Sequence, residues 1–545
     1  MSFSSRLAGR VTDDNVKWFT LAAACFGLFM AILDNLVVNV ALPTISRDLD
    51  AKATQLQWIV SAYTLVFASL QITAGGLGDR FGRKRFFMIG LVIFTATSFM
   101  AALSQNIEML LIARALQGVG AAFIMPLSLS LISAAFPPEE RSRAIGIWAS
   151  VSVSSIALGP IVGGALVEYA SWPWVFLINV PIGIGAFIVT SAVVRESRDT
   201  SGTVATDVPG TVLITLAVAS LTWGLIEAGN RGWTDSWILA SFVAAAVFTV
   251  AFIRVEMTTE RPMIPLRFFK SRTFTGANID AFLIAFLITG VGFFMTLYQQ
   301  NIHGFSPVRT GLALLPMVLV MMVGSPISGT LTAKLGPRRL ISAGMFVTGL
   351  GMFLFLRSDV HATYLDILPA FLVLGLGMSF IWTPMTTAVL NSVETEKSGV
   401  ASAINGAIRE IGTAVGIALL GTIMNRTYQS DFGSSAEVQA IKNDPSQSAL
   451  RPVIDAVGHG YNLAGGVIKD PHVFPGIDKL GPGVDRIVEL SGQSFIAGMD
   501  AAVIFSAIGI IAGSLLSYFL IEDEVVSRVP ESFPIRETPE LAPGD

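Results

Sequence analysis

Two charged residues stand inside long apolar runs of this sequence, Asp34 in the run 18–42 and Arg114 in the run 107–134. An ionised carboxylate at the centre of a lipid-embedded helix costs about 2.5–3.5 kcal/mol on insertion scales. The penalty falls on the charged form, so an acid held there is suited to taking up and releasing a proton. Arginine stays cationic; close to the acid it holds the carboxylate ionised, and on moving away it releases it. Asp34 precedes the end of its run at Leu42 by eight residues, and Arg114 follows the start of its run at Ile107 by seven. At about 1.5 Å per residue, both lie roughly 10–12 Å below the outer surface. Equal depth is the geometric condition for pairing. A purely structural role, in a helix–helix hydrogen bond for Asp34 or in bonds to carbonyls for Arg114, is the alternative, but ionisable groups inside a membrane are functional by default.

Other charges are placed differently. Arg409 and Glu410 share a run at 399–424, and adjacent helical residues point about 100° apart. They therefore cannot neutralise each other across one face, and one can face a cavity while the other faces a neighbouring span. Asp280 lies near the inner end of the run 275–299, where a side chain reaches water cheaply. These three are candidate coupling or substrate residues. Glu227, Asp366 and Asp500 fall at run ends and read as interfacial. Phe26, Phe29, Met30, Phe293, Phe294, Met295, Tyr298 and Gln299 would suit adaptable apolar recognition, although such stripes are more often core or lipid-facing.

Catalytic chemistry has no foothold. The sequence contains no H-E-x-x-H, G-x-S-x-G or G-x-x-x-x-G-K-[ST] pattern, so no catalytic residue, metal site or ATP-driven pump is expected. The single cysteine, Cys25, rules out a disulfide framework. The four histidines, at 303, 361, 459 and 472, lie in or beside polar connections. No cofactor is implied beyond protons as coupling ion, and nothing calls for nucleic acid.

The elements that position these residues follow from composition. Hydrophobic residues make up 52% of the 545 and charged residues 14%, against about 25% charged in a soluble domain. Lipid must therefore cover the surface. A hydrocarbon core of about 30 Å needs roughly 20 apolar residues per helix. That window finds fourteen spans, near 18–42, 56–78, 86–104, 107–134, 144–168, 174–194, 209–227, 236–253, 275–299, 308–332, 340–357, 365–390, 399–424 and 496–521.

The basic residues support an even count. With both termini cytoplasmic, the inside segments hold Arg6, Arg10 and Lys17, then Arg80, Arg83, Lys84 and Arg85, and further clusters down to Arg528 and Arg536. The short outside loops hold only Arg47, Lys52, Arg231, Arg309 and Arg357. Dropping one span would invert every later segment and destroy this positive-inside bias. A run at 18–42 without a small-residue cleavage site reads as a retained first span rather than a signal peptide. The polar stretch 427–495 reads as a long outside surface loop, with short helices expected near 436–443 and 484–491.

An internal repeat divides the spans. Gly75, Leu77, Arg80 and Gly82 recur as Gly329, Leu331, Lys334 and Gly336 at an offset of 254 residues, while Asp79 becomes Ala333. Two six-span halves separated by two extra spans account for this, and paired repeats with a site at their interface are a recurrent transporter architecture. The expected organisation is a cytoplasmic N-terminus 1–17, a bundle 18–194, a two-helix linker 195–274, a second bundle 275–521 and a cytoplasmic tail 522–545.

The motifs carry a resemblance. Gly75-x-Leu77-x-Asp79-Arg80-x-Gly82-Arg83-Lys84 resembles the loop signature of the major facilitator superfamily. Leu33-Asp34-x-x-Val37-Val38-Asn39-Val40-Ala41-Leu42-Pro43 resembles the first-helix signature of its fourteen-span drug:proton antiporters. Arg114-x-x-Gln117-Gly118-x-Gly120, Gly159-Pro160-x-x-Gly163-Gly164 and Trp172-Pro173-Trp174-x-Phe176-x-Ile178-Asn179 are similar to further motifs of that group. One departure is Ser155, where the fifth-helix motif begins with Gly. The resemblance implies an all-α integral membrane fold of two six-helix bundles plus two linker helices, fourteen transmembrane helices in all. It implies a proton-coupled exporter in the cell membrane, moving a small lipophilic substrate (a cation among the candidates). It assigns Asp34 and Arg114 to proton coupling, and Gly75, Asp79, Arg80, Gly82 and Arg83 to a gate loop whose acid pairs with a base or caps a helix. It assigns Gly159, Pro160, Gly163 and Gly164 to close packing in antiporters. An exporter dedicated to a single metabolite, antibiotic or lipid is the alternative.

Overall fold

Every apolar run of the sequence becomes a helix. The computed structural model describes residues 15–49, 51, 53–198, 207–259, 262, 264–469, 474, 477 and 483–523, and no strand occurs among them. Arg6 and Arg10 of the expected N-terminal segment, Lys52, parts of the 195–274 linker, and Arg528 and Arg536 of the tail lie outside the described residues.

The first bundle comprises α1 (Val16–Asp48), α2 (Ala53–Phe81), α3 (Arg83–Ala102), α4 (Ile107–Ala135), α5 (Pro138–Tyr169) and α6 (Trp174–Val193). Two linker helices follow, α7 (Val208–Arg231) and α8 (Ser236–Thr258). The second bundle holds α9 (Arg272–Leu297), α10 (Pro307–Leu335), α11 (Pro337–Phe353), α12 (Tyr364–Asn391), α13 (Ser398–Ser434) and α14 (Gly483–Leu520). Among the described residues, thirteen helical stretches are long and apolar enough to cross a membrane. The other, α5, is 32 residues long and carries Ser142, Ser150, Ser152, Ser154 and Ser155. Its hydroxyls are tolerated because α5 is packed between α1 and α10 and bonds them to helix carbonyls, as from Ser152 Oγ to Trp148 O at 3.0 Å.

The bundles meet along two seams. On one, α5 lies against α10 from Ser142–Gly329 at one end to Gly164–Val308 at the other, with Ser150 donating to Met322 O at 3.0 Å midway. On the other, α2 meets α13 at Gly75–Gly399 and Gln71–Gly406. The linker helices pack on each other, and α7 lies over this second seam. Thr215 of α7 bonds Thr73 of α2 at 3.0 Å, and Trp233, just beyond α7, donates to Thr422 of α13 at 3.3 Å.

The stretch expected as a loop is instead a folded cap. The helix at 436–443 forms (Ala436–Asn443), and a second runs over Arg451–Gly458. The expected 484–491 helix is not separate: it is the first part of the 38-residue α14, and α13 likewise runs ten residues past its apolar end at 424. The cause is spacing, because Val438 and Ile441, then Val453, Ile454 and Val457, fall at helical intervals and bury against Tyr428 and Phe432. Tyr428 Oη donates to Val457 O at 3.0 Å, and Arg486 of α14 pairs with Glu437 of the cap.

Candidate functional site

Asp34 and Arg114 meet. Arg114 Nη1 lies 2.5 Å from Asp34 Oδ2, and both residues are 0% exposed. Helix ends explain the convergence: Ser98 lies in the last turns of α3, Arg114 in the second turn of α4, and Asn179 at the break that divides α6 into Trp174–Leu177 and Asn179–Val193. All of these are at the end of the bundle where α1 finishes.

Three polar groups complete the pair. Asn179 Nδ2 donates to Asp34 Oδ1 at 2.6 Å, and Gln117 Nε2 donates to the same oxygen at 3.2 Å. Ser98 Oγ accepts from Gln117 Nε2 at 2.7 Å and from Asn179 Nδ2 at 3.4 Å. Arg114 is held on its other sides by Ile59 O at 3.1 Å and by Gln117 Oε1 at 2.8 Å. Its guanidinium stacks over Tyr63 at 4.5 Å. The arrangement suits an ionised carboxylate facing a fixed cation, in the geometry that repays desolvation. Both side chains are closed off from the surface in this conformation. Gln117 and Asn179 lay within quoted motifs but carried no charge to mark them, and Ser98 had no mark at all.

The glycine face of α5 packs against the same part of α1. A Cβ at Gly159 would lie 2.6 Å from Leu36 Cβ, and one at Gly163 would lie 3.1 Å from Val37. Gly164 faces the other way, with Val308 Cγ2 of α10 at 2.6 Å from its would-be Cβ. The face thus touches the helix that bears Asp34 and the opposite bundle together. Pro160 continues the helix; its side chain lies outside the described residues.

At the other end of the bundle, Asp79 does both things expected of it. Its Oδ1 accepts from Arg83 Nε at 2.8 Å, while Gly399 N and Val400 N donate to its two oxygens at 3.1 and 2.9 Å. It is therefore an ion-pair partner and the cap of α13 in the opposite bundle. Arg83 Nη2 reaches the same bundle, donating to Thr395 O at 2.7 Å and Glu396 O at 2.9 Å. Arg80 is partly exposed beside it. Gly82 and its repeat mate Gly336 have φ of 118° and 80°, a region glycine enters without the Cβ penalty.

Acids from the ends of each bundle sit beside these glycines. Glu196 accepts from Lys84 N at 3.0 Å and Arg85 N at 3.1 Å, and Asp523 lies by Gly336 and 3.6 Å from Arg339. The sequence repeat is thus a structural one. Ala333, which replaces Asp79 in the second copy, faces the start of α5 across a crevice of about 300 Å³ lined also by Pro138, Glu139 and Ser142.

Residues 24–417 match the sequence profile of the Major Facilitator Superfamily. The chain belongs to that superfamily. Among its relatives, this facilitator is 33% identical to a tetracenomycin C resistance and export protein of Streptomyces glaucescens, over 95% of this chain and 94% of that one. It is 32% identical to the multidrug resistance protein Stp of Mycobacterium tuberculosis, over 90% and 89% of the two chains. It is 35% identical to the multidrug efflux pump LfrA of Mycolicibacterium smegmatis over 76% and 82%. In fold it is similar to the human organic anion transporter MFSD10 (TM-score 0.58, 11% identity, 93% of this chain and 99% of that one). It is similar also to the proton:xylose symporter XylE (TM-score 0.58, 12% identity, 94% and 97%). This facilitator is therefore a multi-pass membrane protein of transporter fold.

The remaining candidate residues of the facilitator do not join the Asp34 cluster. Asp280 does not snorkel to water: it is 1% exposed, with Ser517 Oγ of α14 donating to Oδ2 at 2.7 Å. The reason is that α9 turns this face into its own bundle, against α11 and α14. Arg409 and Glu410 are partly exposed and form no ion pair with each other; Arg409 lies 5.5 Å over the Trp382 ring. Glu410 is within electrostatic reach of Tyr63 in the opposite bundle. Of the apolar candidates, Phe294, Met295, Tyr298, Gln299 and Met30 are buried in the bundle cores, while Phe26 and Phe293 are exposed. Glu227 pairs with Arg231 at 3.2 Å, and Asp366 caps α12 in a capping box with Thr363.

Proposed function

We propose that this protein exports small lipophilic compounds, drugs and antibiotics among them, across the cytoplasmic membrane by alternating access, with inward proton flow as the driving force. It works as a carrier rather than an enzyme. The exporters among its relatives match over almost the whole chain, which supports the substrate class. The observation that carries proton coupling is the sealed contact of Asp34 with Arg114, Gln117 and Asn179. A carboxylate so held is a switch, because its charge is stable only while these donors stay in place.

In the proposed cycle, the outward-facing state is the one that keeps α13 capped by Asp79 and the inner end closed. Asp34 takes up a proton from the outside on Oδ1, the oxygen that Arg114 does not hold, and α1 then separates from α4, drawing Arg114 away. Neutralisation relaxes the first bundle, the Asp79 cap breaks, and the cavity opens to the cytoplasm. There Asp34 loses its proton as substrate binds. Glu410, within electrostatic reach of Tyr63 in the opposite bundle, and Arg409, over Trp382 of its own bundle, are both partly exposed on α13 and act in substrate contact. The 33% identity to a tetracenomycin C exporter favours a second reading, export of a single antibiotic, with the same coupling.

Everted membrane vesicles with an imposed pH gradient and a panel of fluorescent lipophilic cations test this proposal. Gradient-driven accumulation is expected in the native protein and its loss in Asp34→Asn. Full gradient-driven accumulation by Asp34→Asn would overturn the carrier role of Asp34. Accumulation confined to one compound would favour the dedicated exporter.

A further inference from the structure

We propose that Asn179 is a positioning residue that reads the charge of Asp34, its side-chain amide turning between two hydrogen-bonded orientations as the carboxyl gains or loses a proton. The inference rests on the proton-carrier reading of Asp34.

The two carboxylate oxygens are not equivalent. Oδ2 is taken by Arg114, whereas Oδ1 receives only amide donors, from Asn179 at 2.6 Å and Gln117 at 3.2 Å. A proton therefore arrives on Oδ1. The oxygen that takes the proton becomes a donor and only a weak acceptor, so the amide N–H of Asn179 loses most of its bond there and reversal is favoured. Reversal is available. The far end of the amide, Asn179 Oδ1, is buried with no partner, so a half-turn about the bond to the amide breaks no bond at that end. The turn brings Asn179 Oδ1 to Asp34, where it accepts the new O–H.

Ser98 supports both orientations. Its hydroxyl accepts from Asn179 Nδ2 now and can rotate to donate to Asn179 Oδ1 after the turn. Gln117 Nε2 keeps its bond to Ser98 Oγ throughout. The balance is simple: one proton is gained on Asp34 Oδ1, the Asn179 N–H···O⁻ bond is lost, the longer Gln117 bond to the same oxygen is weakened, and one O–H···O=C bond is formed.

The charged and titratable groups facing the carboxyl are Arg114 of α4 and Tyr63 of α2, with Glu410 of α13 acting on Tyr63 from the opposite bundle. The elements α3 and α6 face it with Ser98 and Asn179, and α5 packs on α1 through Gly159 and Gly163. Gln117 carries the same two-sided amide, but its Oε1 is held by Arg114 and its Nε2 by Ser98, whereas one end of the Asn179 amide has no partner. Charge-assisted hydrogen bonds are roughly twice as strong as neutral ones, so losing the amide costs the ionised form more than the protonated form. Removing it should raise the pH at which half the Asp34 proton is released by about one unit.

Infrared difference spectra of the purified full-length protein in lipid, between acid and alkaline pH, separate the outcomes. A protonated-carboxyl band absent from Asp34→Asn identifies Asp34. In Asn179→Leu that band should move to higher wavenumber, because its O–H has lost its acceptor, and its titration midpoint should rise by about one pH unit. Asn179→Ser, with a smaller change of packing, should move both in the same sense. A band and midpoint unchanged in both variants would overturn the proposal, and a midpoint that rises with the band left in place would overturn the rotation. If Asp34→Asn retains every carboxyl band, it is the proton-carrier reading that fails instead.

Discussion

Asp79 in the first bundle and Val400 in the second are joined by a 2.9 Å hydrogen bond from a backbone N–H at a helix start to a buried carboxylate. That contact, with the Arg83 bonds beside it, ties together the ends of the bundles that lie away from Asp34, the inner ends of the proposed topology. Hydrogen bonds to charged groups contribute about 1.5–3 kcal/mol each. Asp79→Ala should shift the balance away from the closed inner end by about 2 kcal/mol, roughly thirtyfold in population. Distances between spin labels at the inner ends of α2 and α13 report this. Arg83→Ala should shift them in the same direction, and an unchanged distribution in both variants would refute the latch.

Close approach matters at one glycine and not at another. A Cβ at Gly75 would lie 2.5 Å from the Gly399 carbonyl oxygen, which is backbone and cannot swing aside, whereas Gly292 has nothing within 4 Å of its would-be Cβ. Gly75→Ala should hold the α2–α13 seam apart and abolish export while the protein still inserts. Gly292→Ala should leave export within about twofold, since substitutions away from such contacts usually stay within about 0.5 kcal/mol. Parallel transport assays of the two variants check the contrast.

The linker helices are placed to act during the same movement. The helix α7 packs more extensively on α2 than on α13 and bonds α2 through Thr215–Thr73. It should therefore travel with the first bundle. Label pairs between α7 and α2 are expected to keep their distance through the cycle, while pairs between α7 and α13 change. A fixed α7–α13 distance with a changing α7–α2 distance would assign α7 to the second bundle.

One pH effect concerns the segment after α9. His303 packs edge-on to Tyr298 at 4.6 Å, and burial holds its pKa below the ordinary 6.5, opposed in part by Asp359. The neutral ring is the packed form, so the packing is intact above about pH 6.5 and weakens as pH falls below that value, where the opened segment takes the proton more readily. Hydrogen exchange over 298–305, corrected for its intrinsic pH dependence, should quicken from pH 7.5 to 5.5. His303→Phe should remove that dependence.

Reading the residues alone went furthest where a charge stood out against lipid. Asp34 and Arg114 were legible because each is costly in an apolar run, and helix rise alone placed them at one depth; Asp79 was legible from the glycine and basic spacing of its loop. Asn179 and Ser98 were not, since neutral side chains pay little to sit in a membrane helix and gain meaning only from what they touch. Asp280 misled because position along a helix does not say which way a side chain faces. The cap was hidden by its polarity: the helical spacing of Val453, Ile454 and Val457 was present, but a window tuned to lipid passes over a short amphipathic helix. The acids at Glu196 and Asp523 share a position at the two repeat glycines, Gly82 and Gly336, yet each lies beyond the last helix of its bundle, outside the span of the repeat.

Proton release on substrate binding tests the central claim most directly. Purified protein in weakly buffered solution, with a pH indicator dye and a fluorescent lipophilic cation as probe, should release protons when the probe binds. Asp34→Asn should bind the probe and release none. Equal proton release from Asp34→Asn and the native protein would contradict the assignment of Asp34 as the proton carrier.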